Sequence, residues 1–329
     1  MLNKPEYEFL KTDKHLGNNI CLLTYGGSIA YGTNLPTSDI DIRGIAINTK
    51  EELLTGNCFE QVIDEKTDTT IYSINKIFKL LSNCNPNVIE LLGCKEYLLS
   101  NDVGKLLLDN RHLFLSKRAI YTFGGYATSQ LRRLENKTFV NISQSKQEEY
   151  ILRSLFNSNE DFSSKYNITG FNCYIDKSLK EDYDTEIYID WDIKHIPIRD
   201  IQDYFNTASQ VIKSYNSVGK RNESALSKNK IAKHSMHLVR LLYMLLDILY
   251  KGEIITYREK EHDLLMDIRN GKYLDEKGIP NKEFYEILNE LENKVEYAKT
   301  DKAVVVPDKV DMTKINELLY NVNYRSLEI

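Results

Sequence analysis

The chain has 329 residues, enough for about two domains, and its 42% hydrophobic content can supply a core, which excludes wholesale disorder. Its 43 basic and 48 acidic residues leave a formal charge of −5, which argues against a basic coat for nucleic acid but leaves room for a local basic stripe. Five cysteines without a CxxC pair argue against a disulfide framework and a cysteine-type zinc site. The N-terminal stretch lacks the apolar core of a signal peptide. The longest apolar run, 238–250, carries Arg240 and Asp247 and is too short to cross a bilayer, so a cytoplasmic protein without membrane association is expected.

Residues 20–125 read as a compact α/β segment. Ile20 to Tyr25 is an apolar run ending at Gly26-Gly27, as a buried strand entering a turn would. Residues 34–38 are a loop, and Asp39 to Ile47 alternates like a strand. Thr69 to Ile74 is a further strand. Ser73 then suits the N-cap of a helix whose stripe is Ile74, Ile77, Phe78 and Leu81, and Asn85-Pro86 marks another helix start. Residues 104–135 read as mostly helical. Residues 157–200, rich in Asn, Asp, Ser and Tyr, read as a loop-rich insertion with strand-like pieces such as 186–193. Helical periodicity returns over 201–250 and 280–300, most strongly from about Lys228 to Tyr250. The end of the chain reads as a strand-like Ala303 to Val306, a short helix and a loose, mobile tail.

The sharpest local feature spans residues 26–44, GGSIAYGTNLPTSDIDIRG. Asp39 and Asp41, two apart on the expected strand, project from one face. Two carboxylates that close repel unless a cation lies between them, and hard divalent ions take such oxygens. A solvated edge strand is the plain alternative for a bare DxD. Here Gly26, Gly27 and Ser28 precede it at a strand-to-turn transition, where backbone N–H groups and a hydroxyl can approach phosphate. A two-metal site needs a third carboxylate from a neighbouring strand. Asp68 fits, at the start of the 69–74 strand; Asp64 and Glu65 are rivals. Arg43 shares the aspartates' face and could touch phosphate or only make a local ion pair.

A second constellation lies on the helix at 228–246. Lys230, Lys233, His234, His237 and Arg240 recur along one flank, opposite Leu238, Leu241, Leu242 and Leu245. Such a flank suits triphosphate oxygens, but it is also what a solvated basic face looks like. Zinc on His234 and His237 is a weaker reading, because no HExxH-type base accompanies them. Arg258 and Arg269 lie in segments of mixed charge.

Gly27-Ser28, AYGT at 30–33, Pro36 and SDIDIRG at 38–44 resemble the DNA polymerase β superfamily of nucleotidyltransferases, in the RNA-ligase-associated branch. The resemblance extends to 72–92, to KHSMHLVRLL at 233–242 and to LLMDIRNGKY at 264–273, but not to roughly 135–225. It implies an α+β fold, a mixed sheet flanked by helices and followed by a mainly helical region. The expected organisation is a catalytic core at 1–135, an insertion at 136–225 that could serve acceptor recognition, and a helical region at 226–329 closing over the nucleotide. By resemblance, Gly27 and Ser28 would hold the triphosphate, and Asp39, Asp41 and Asp68 would bind two Mg²⁺ or Mn²⁺ ions. Lys233, His237, Arg240, Arg269 and Glu90 match later motifs.

The implied reaction is attack by an acceptor hydroxyl on the α-phosphate of an NTP or dNTP, with pyrophosphate leaving. A nucleic-acid end or growing oligonucleotide is the expected acceptor, in RNA repair or antiviral defence. The alternatives are transfer to a protein hydroxyl, including Tyr320 or Tyr324 of the chain's own tail, and a catalytically silent nucleotide-binding module.

Overall fold

Residues Ile20–Tyr25 form β1, whose Cys21, Leu22 and Leu23 are all buried. Against it run Ile42–Ala46 (β2) on one side and Tyr97–Ser100 (β5) on the other, both antiparallel. Thr69–Ser73 (β4) pairs parallel with β2, and Gln61–Asp64 (β3) closes the far edge as an antiparallel partner of β4. The result is a mixed five-stranded sheet in the order β3-β4-β2-β1-β5. With its many helices it makes the fold α+β.

The chain is described by a computed structural model for residues 2, 4–127, 144–166, 168, 171–179, 185–192, 194–216, 228–276 and 278–328. The chain divides into two units, one built from 1–130 with 232–329 and the other from 131–231.

Within the first unit, β4 runs straight into the helix Ile74–Ser82. Ser73 caps it by accepting a hydrogen bond from the Lys76 amide, and Ile74, Ile77, Phe78 and Leu81 are buried on one stripe. Asn85 caps the next short helix, Pro86–Ile89, with proline at its first position. The region expected to be helical over 104–135 is the helix Asp102–Asp109, a 3₁₀ turn at Arg111–Phe114 and a helix at 118–127; residues 128–135 lie outside the described ones.

The long helix Lys228–Lys251 is apolar on almost every side from Met236 onward. Leu238, Leu241, Leu242 and Leu245 are buried as expected, and so are Val239, Met244, Ile248 and Leu249. Such a helix lies inside a domain rather than on its surface. The segment after it is stitched to the sheet side: Thr256 donates to the Glu90 carbonyl at 2.7 Å and the Arg258 amide to the Tyr31 carbonyl at 3.2 Å.

Two expectations for the end of the chain are corrected. Ala303 to Val306 is not a strand, and the last residues are not a loose tail. Helix Met312–Glu328 buries Ile315, Leu318, Val322 and Ser326, a stripe with three- and four-residue steps. Asn323 donates to Asn75, and the carbonyl of Leu327 accepts from Lys50. Tyr320 and Tyr324 sit on the outer face, exposed and stacked on each other at 5.9 Å.

The second unit also corrects an expectation, because the described residues of 157–200 lie mostly in helix and strand. The helix Gln144–Tyr166 and the hairpin Asn172–Lys177 (β6) with Thr185–Asp190 (β7) precede the helix Ile198–Asn216. Ile151, Leu155, Ala208 and Val211 pack together with Ile187, and Phe162, Phe171, Trp191 and Tyr204 form an aromatic cluster. The helix Gln144–Tyr166 holds its place with a few apolar anchors in a polar sequence, which is why composition alone reads as loop.

Candidate active site

The end of β1 and the start of β2 are clamped together. Tyr25 pairs with Ile42, and the Gly26 amide donates to the Asp41 carbonyl at 2.9 Å. Asp41 thereby stands beside the glycine turn. Gly27 has φ of +55°, and a Cβ there would lie 1.8 Å from Asp41 Oδ2, so only glycine allows this approach. The helix Gly27–Tyr31 begins at that point without a side-chain cap on its first amides, and Ser28 is half-buried there. A left-handed Gly32 ends the helix.

Asp68 sits just before β4, which pairs with β2 from Ile42↔Thr69 onward. The register brings the carboxyls of Asp41 and Asp68 together, close enough to share a hydrogen bond. Burial, and then the facing Asp68, push Asp41 up to about 6. The same hydrogen bond, with Arg43 beside it, holds Asp68 below the usual carboxylate range. Arg43 Nη2 reaches Asp68 Oδ1 at 3.1 Å, while its Nη1 donates to the carbonyls of Ile42 and Asp68. Arg43 thus makes a local ion pair with Asp68.

Asp64, the rival carboxylate, is taken up in the β3–β4 turn, accepting from the Thr67 amide at 2.9 Å and hydroxyl at 2.8 Å. Glu65 is exposed in that turn. Asp39 departs from the strand expectation. β2 begins only at Ile42, so Asp39 precedes it and is exposed. Among the described residues no three carboxylate, histidine or cysteine side chains converge as a metal cluster. The built part of the site is the facing pair, Asp41 and Asp68, whose oxygens suit a hard divalent cation and whose mutual repulsion such an ion would relieve.

The long helix meets this site with very different residues along its flank. Lys233 is exposed, makes no ion pair among the described residues, and acts electrostatically on both Asp41 and Asp68. His234 is half-buried. His237 lies between the rings of Tyr31 and Tyr126, at 6.1 and 6.0 Å. Burial first, then Arg240, His234 and Lys233, push its pKa well below the usual value, so it is neutral. The side chain of Lys230 lies outside the described residues.

Arg240 corrects the reading of one cationic flank. It is 0% exposed, under the ring of Tyr31 at 3.5 Å, with Nη2 at 3.3 Å from Glu90 Oε2 and from His237 Nδ1. Tyr31 donates to the other oxygen of Glu90 at 3.0 Å. Arg240 is therefore a buried cation that ties the long helix to the glycine-turn helix, and it does not line an open surface. Arg258 is likewise structural, buried between Asp247 and Glu261. Arg269 is half-buried, with Nε lacking a partner among the described residues. The Tyr31–Glu90–Arg240 group is invisible in any local pattern, since its members lie on three separated segments.

Residues 2–160 match the profile of the family described as the RNA repair pathway DNA polymerase beta family; the motifs at 233–242 and 264–273 lie outside that stretch. Over 122 residues the chain is 28% identical to an uncharacterized 38.9 kDa protein of the nrdC–mobD intergenic region of Enterobacteria phage T4. That alignment covers 32% of this chain and 36% of the phage protein, about a third of the relative's length. No solved structure matches. The mixed sheet and the glycine turn set against a strand-edge aspartate lie within the stretch that resembles this DNA polymerase beta family.

Proposed function

We propose that the chain is a metal-dependent nucleotidyltransferase that moves a nucleotidyl group from an NTP or dNTP to an acceptor hydroxyl, releasing pyrophosphate. The acceptor of choice is a nucleic-acid end or a growing oligonucleotide, and the family description supports a setting in RNA repair. The observation that carries this is the Asp41–Asp68 pair facing the start of the Gly27–Tyr31 helix, with Lys233 as a nearby cation.

Asp41 and Asp68 would hold Mg²⁺ or Mn²⁺, with Asp39 reaching in as a further ligand once substrate is present. Bound as a pair, such ions lower the pKa of an attacking hydroxyl and offset the charge of leaving pyrophosphate. The chain's own groups do the rest. The uncapped amides at Gly27 and Ser28, with the Ser28 hydroxyl, bind triphosphate oxygens. Asp68 orients the acceptor hydroxyl and takes its proton as oxygen attacks the α-phosphorus and the bond to pyrophosphate breaks. Lys233 neutralises phosphate charge from the helical side, and His237 packs behind it without charge. Positioning and electrostatics suffice for such a reaction.

The test is incubation of the full chain with each labelled NTP and dNTP, with Mg²⁺ or Mn²⁺, with and without RNA, resolved on a denaturing gel. Label on nucleic acid supports the reading. Label on protein selects modification of a protein hydroxyl, and no label under any condition selects a silent nucleotide-binding module.

A further inference from the structure

A groove of about 840 Å³ lies in the first unit on the far side of β4 from the aspartates. Asp68 precedes β4 and Asn75, on the groove wall, follows it, so about 16 Å of strand separates the two places at ~3.3 Å per residue. The walls are one face each of the helices Ile74–Ser82 and Met312–Glu328, with the start of the helix at 118–127.

Its floor is apolar and partly aromatic. Phe78, Ile120 and Ile315 are buried beneath it, and Tyr121 offers a ring that is 74% exposed. Its rim is cationic. Lys79, Arg118 and Lys309 line it and make no ion pair among the described residues. Lys117 also lines it but is committed to Asp308, the one carboxylate of the lining, at 2.8 Å.

The volume falls within the roughly 300–1,000 Å³ of small-ligand sites, which pair apolar walls with a few placed polar groups. An occupant must present a flat apolar body to Tyr121 and several negative charges to three cations. A fatty acid has one charged head, and an acidic peptide has no flat body for the floor. A base with its phosphates has both, and bases stack on tyrosine regardless of sequence.

We propose that this groove is a second ligand site that takes a nucleotidyl unit, either a free nucleotide or the 5′-phosphorylated terminal residue of a strand. Binding here requires neither the aspartates nor turnover, so the proposal stands apart from the catalytic reading.

The experiment measures binding to the full chain in EDTA by fluorescence anisotropy, using a fluorescent ATP and a 5′-phosphorylated, labelled hexa-adenylate. Lys79→Glu with Arg118→Glu should weaken binding by about tenfold or more through like-charge repulsion. Tyr121→Ala should cost about fivefold or more through lost stacking. All three side chains are exposed, and circular dichroism checks each fold. The distant Lys294→Glu should leave this affinity unchanged. Photo-crosslinking with 8-azido-ATP should label peptides containing Tyr121 or 312–319. Binding of ATP identifies a free nucleotide as occupant, and binding of the oligonucleotide alone identifies a strand end. Binding of neither, binding unmoved by the groove variants, or equal binding of a poly-glutamate peptide would overturn the proposal.

Discussion

Asp41 and Asp68 face each other and shift in opposite directions, and that has consequences for both chemistry and stability. Asp41→Ala and Asp68→Ala should each reduce transfer by a thousandfold or more while the fold persists, on the order of what removing a key electrostatic group costs. Asp64→Ala should lose stability at the β3–β4 turn but keep turnover; the reverse pattern in a kinetic assay would reassign the third carboxylate. The pH response follows from the direction of each shift. Asp41 is raised from 3.8 to about 6, so its contribution to stability is fully present below its unfolded value and is lost as pH rises through about 6. Asp68 is lowered, so its contribution holds above its ordinary range and is lost on acidification. Above pH 6 the pair carries its full repulsion, which a divalent ion would relieve. Adding Mg²⁺ should therefore raise the melting temperature by a few degrees more at pH 8 than at pH 5, as scanning fluorimetry can measure. An equal rise at both values would refute the metal role of this pair. Gly27 and the aspartates are legible in the residue pattern because their chemistry is local. Arg240 is not, since a basic residue at helical spacing looks solvated unless one knows that Glu90 and Tyr31 fold against it.

At the scale of elements, the tie between the long helix and the glycine-turn helix is a buried ion pair capped by a tyrosine. Removing one partner of such a pair costs about 3–5 kcal/mol, because a charge is left buried and uncompensated. Glu90→Ala should lower the urea midpoint accordingly, and Glu90→Gln should lose less because it can still accept from Tyr31. Lys233→Ala should do the opposite, leaving the midpoint alone and weakening nucleotide binding severalfold. The C-terminal helix yields a further expectation. Val322 is 0% exposed, so Val322→Asp should destabilise by several kcal/mol on the order of a buried unpaired charge. Intact-mass analysis after nucleotide incubation should find Tyr320 and Tyr324 unmodified, because their helix is fastened at Asn323 and Leu327. The spacing of Ile315, Leu318, Val322 and Ser326 carries the signal for this helix, diluted by Asn, Tyr and Arg on the outer face. β1 and β4 are legible because both faces or alternate residues are apolar, whereas β3 and β5 are four-residue edge strands with half-exposed sides and little pattern to read.

At the scale of the whole molecule, the first unit is discontinuous. Its sheet comes from 1–130, but the partners of Tyr31, Glu90 and Gly93 come from 232–329. A fragment spanning 2–160, the extent of the family match, should therefore aggregate or stay unfolded when expressed alone. Co-expression with 228–329 should recover soluble material, and soluble, cooperative unfolding of the fragment by itself would contradict this. The described residues of the interrupting stretch 131–231 form their own apolar and aromatic clusters, although its composition reads poorly.

The buried pairing of Glu90 with Arg240 also sets a timetable for biosynthesis. On the ribosome, the five strands are translated well before the cation that neutralises Glu90, with a hundred-residue unit emerging in between. During that interval the glycine turn lacks the backing of Tyr31's cationic neighbour, and the nascent site is not held in register. The candidate site is thus completed only after Arg240 has been translated, and a product truncated before it would carry the aspartates without the scaffold that aligns them.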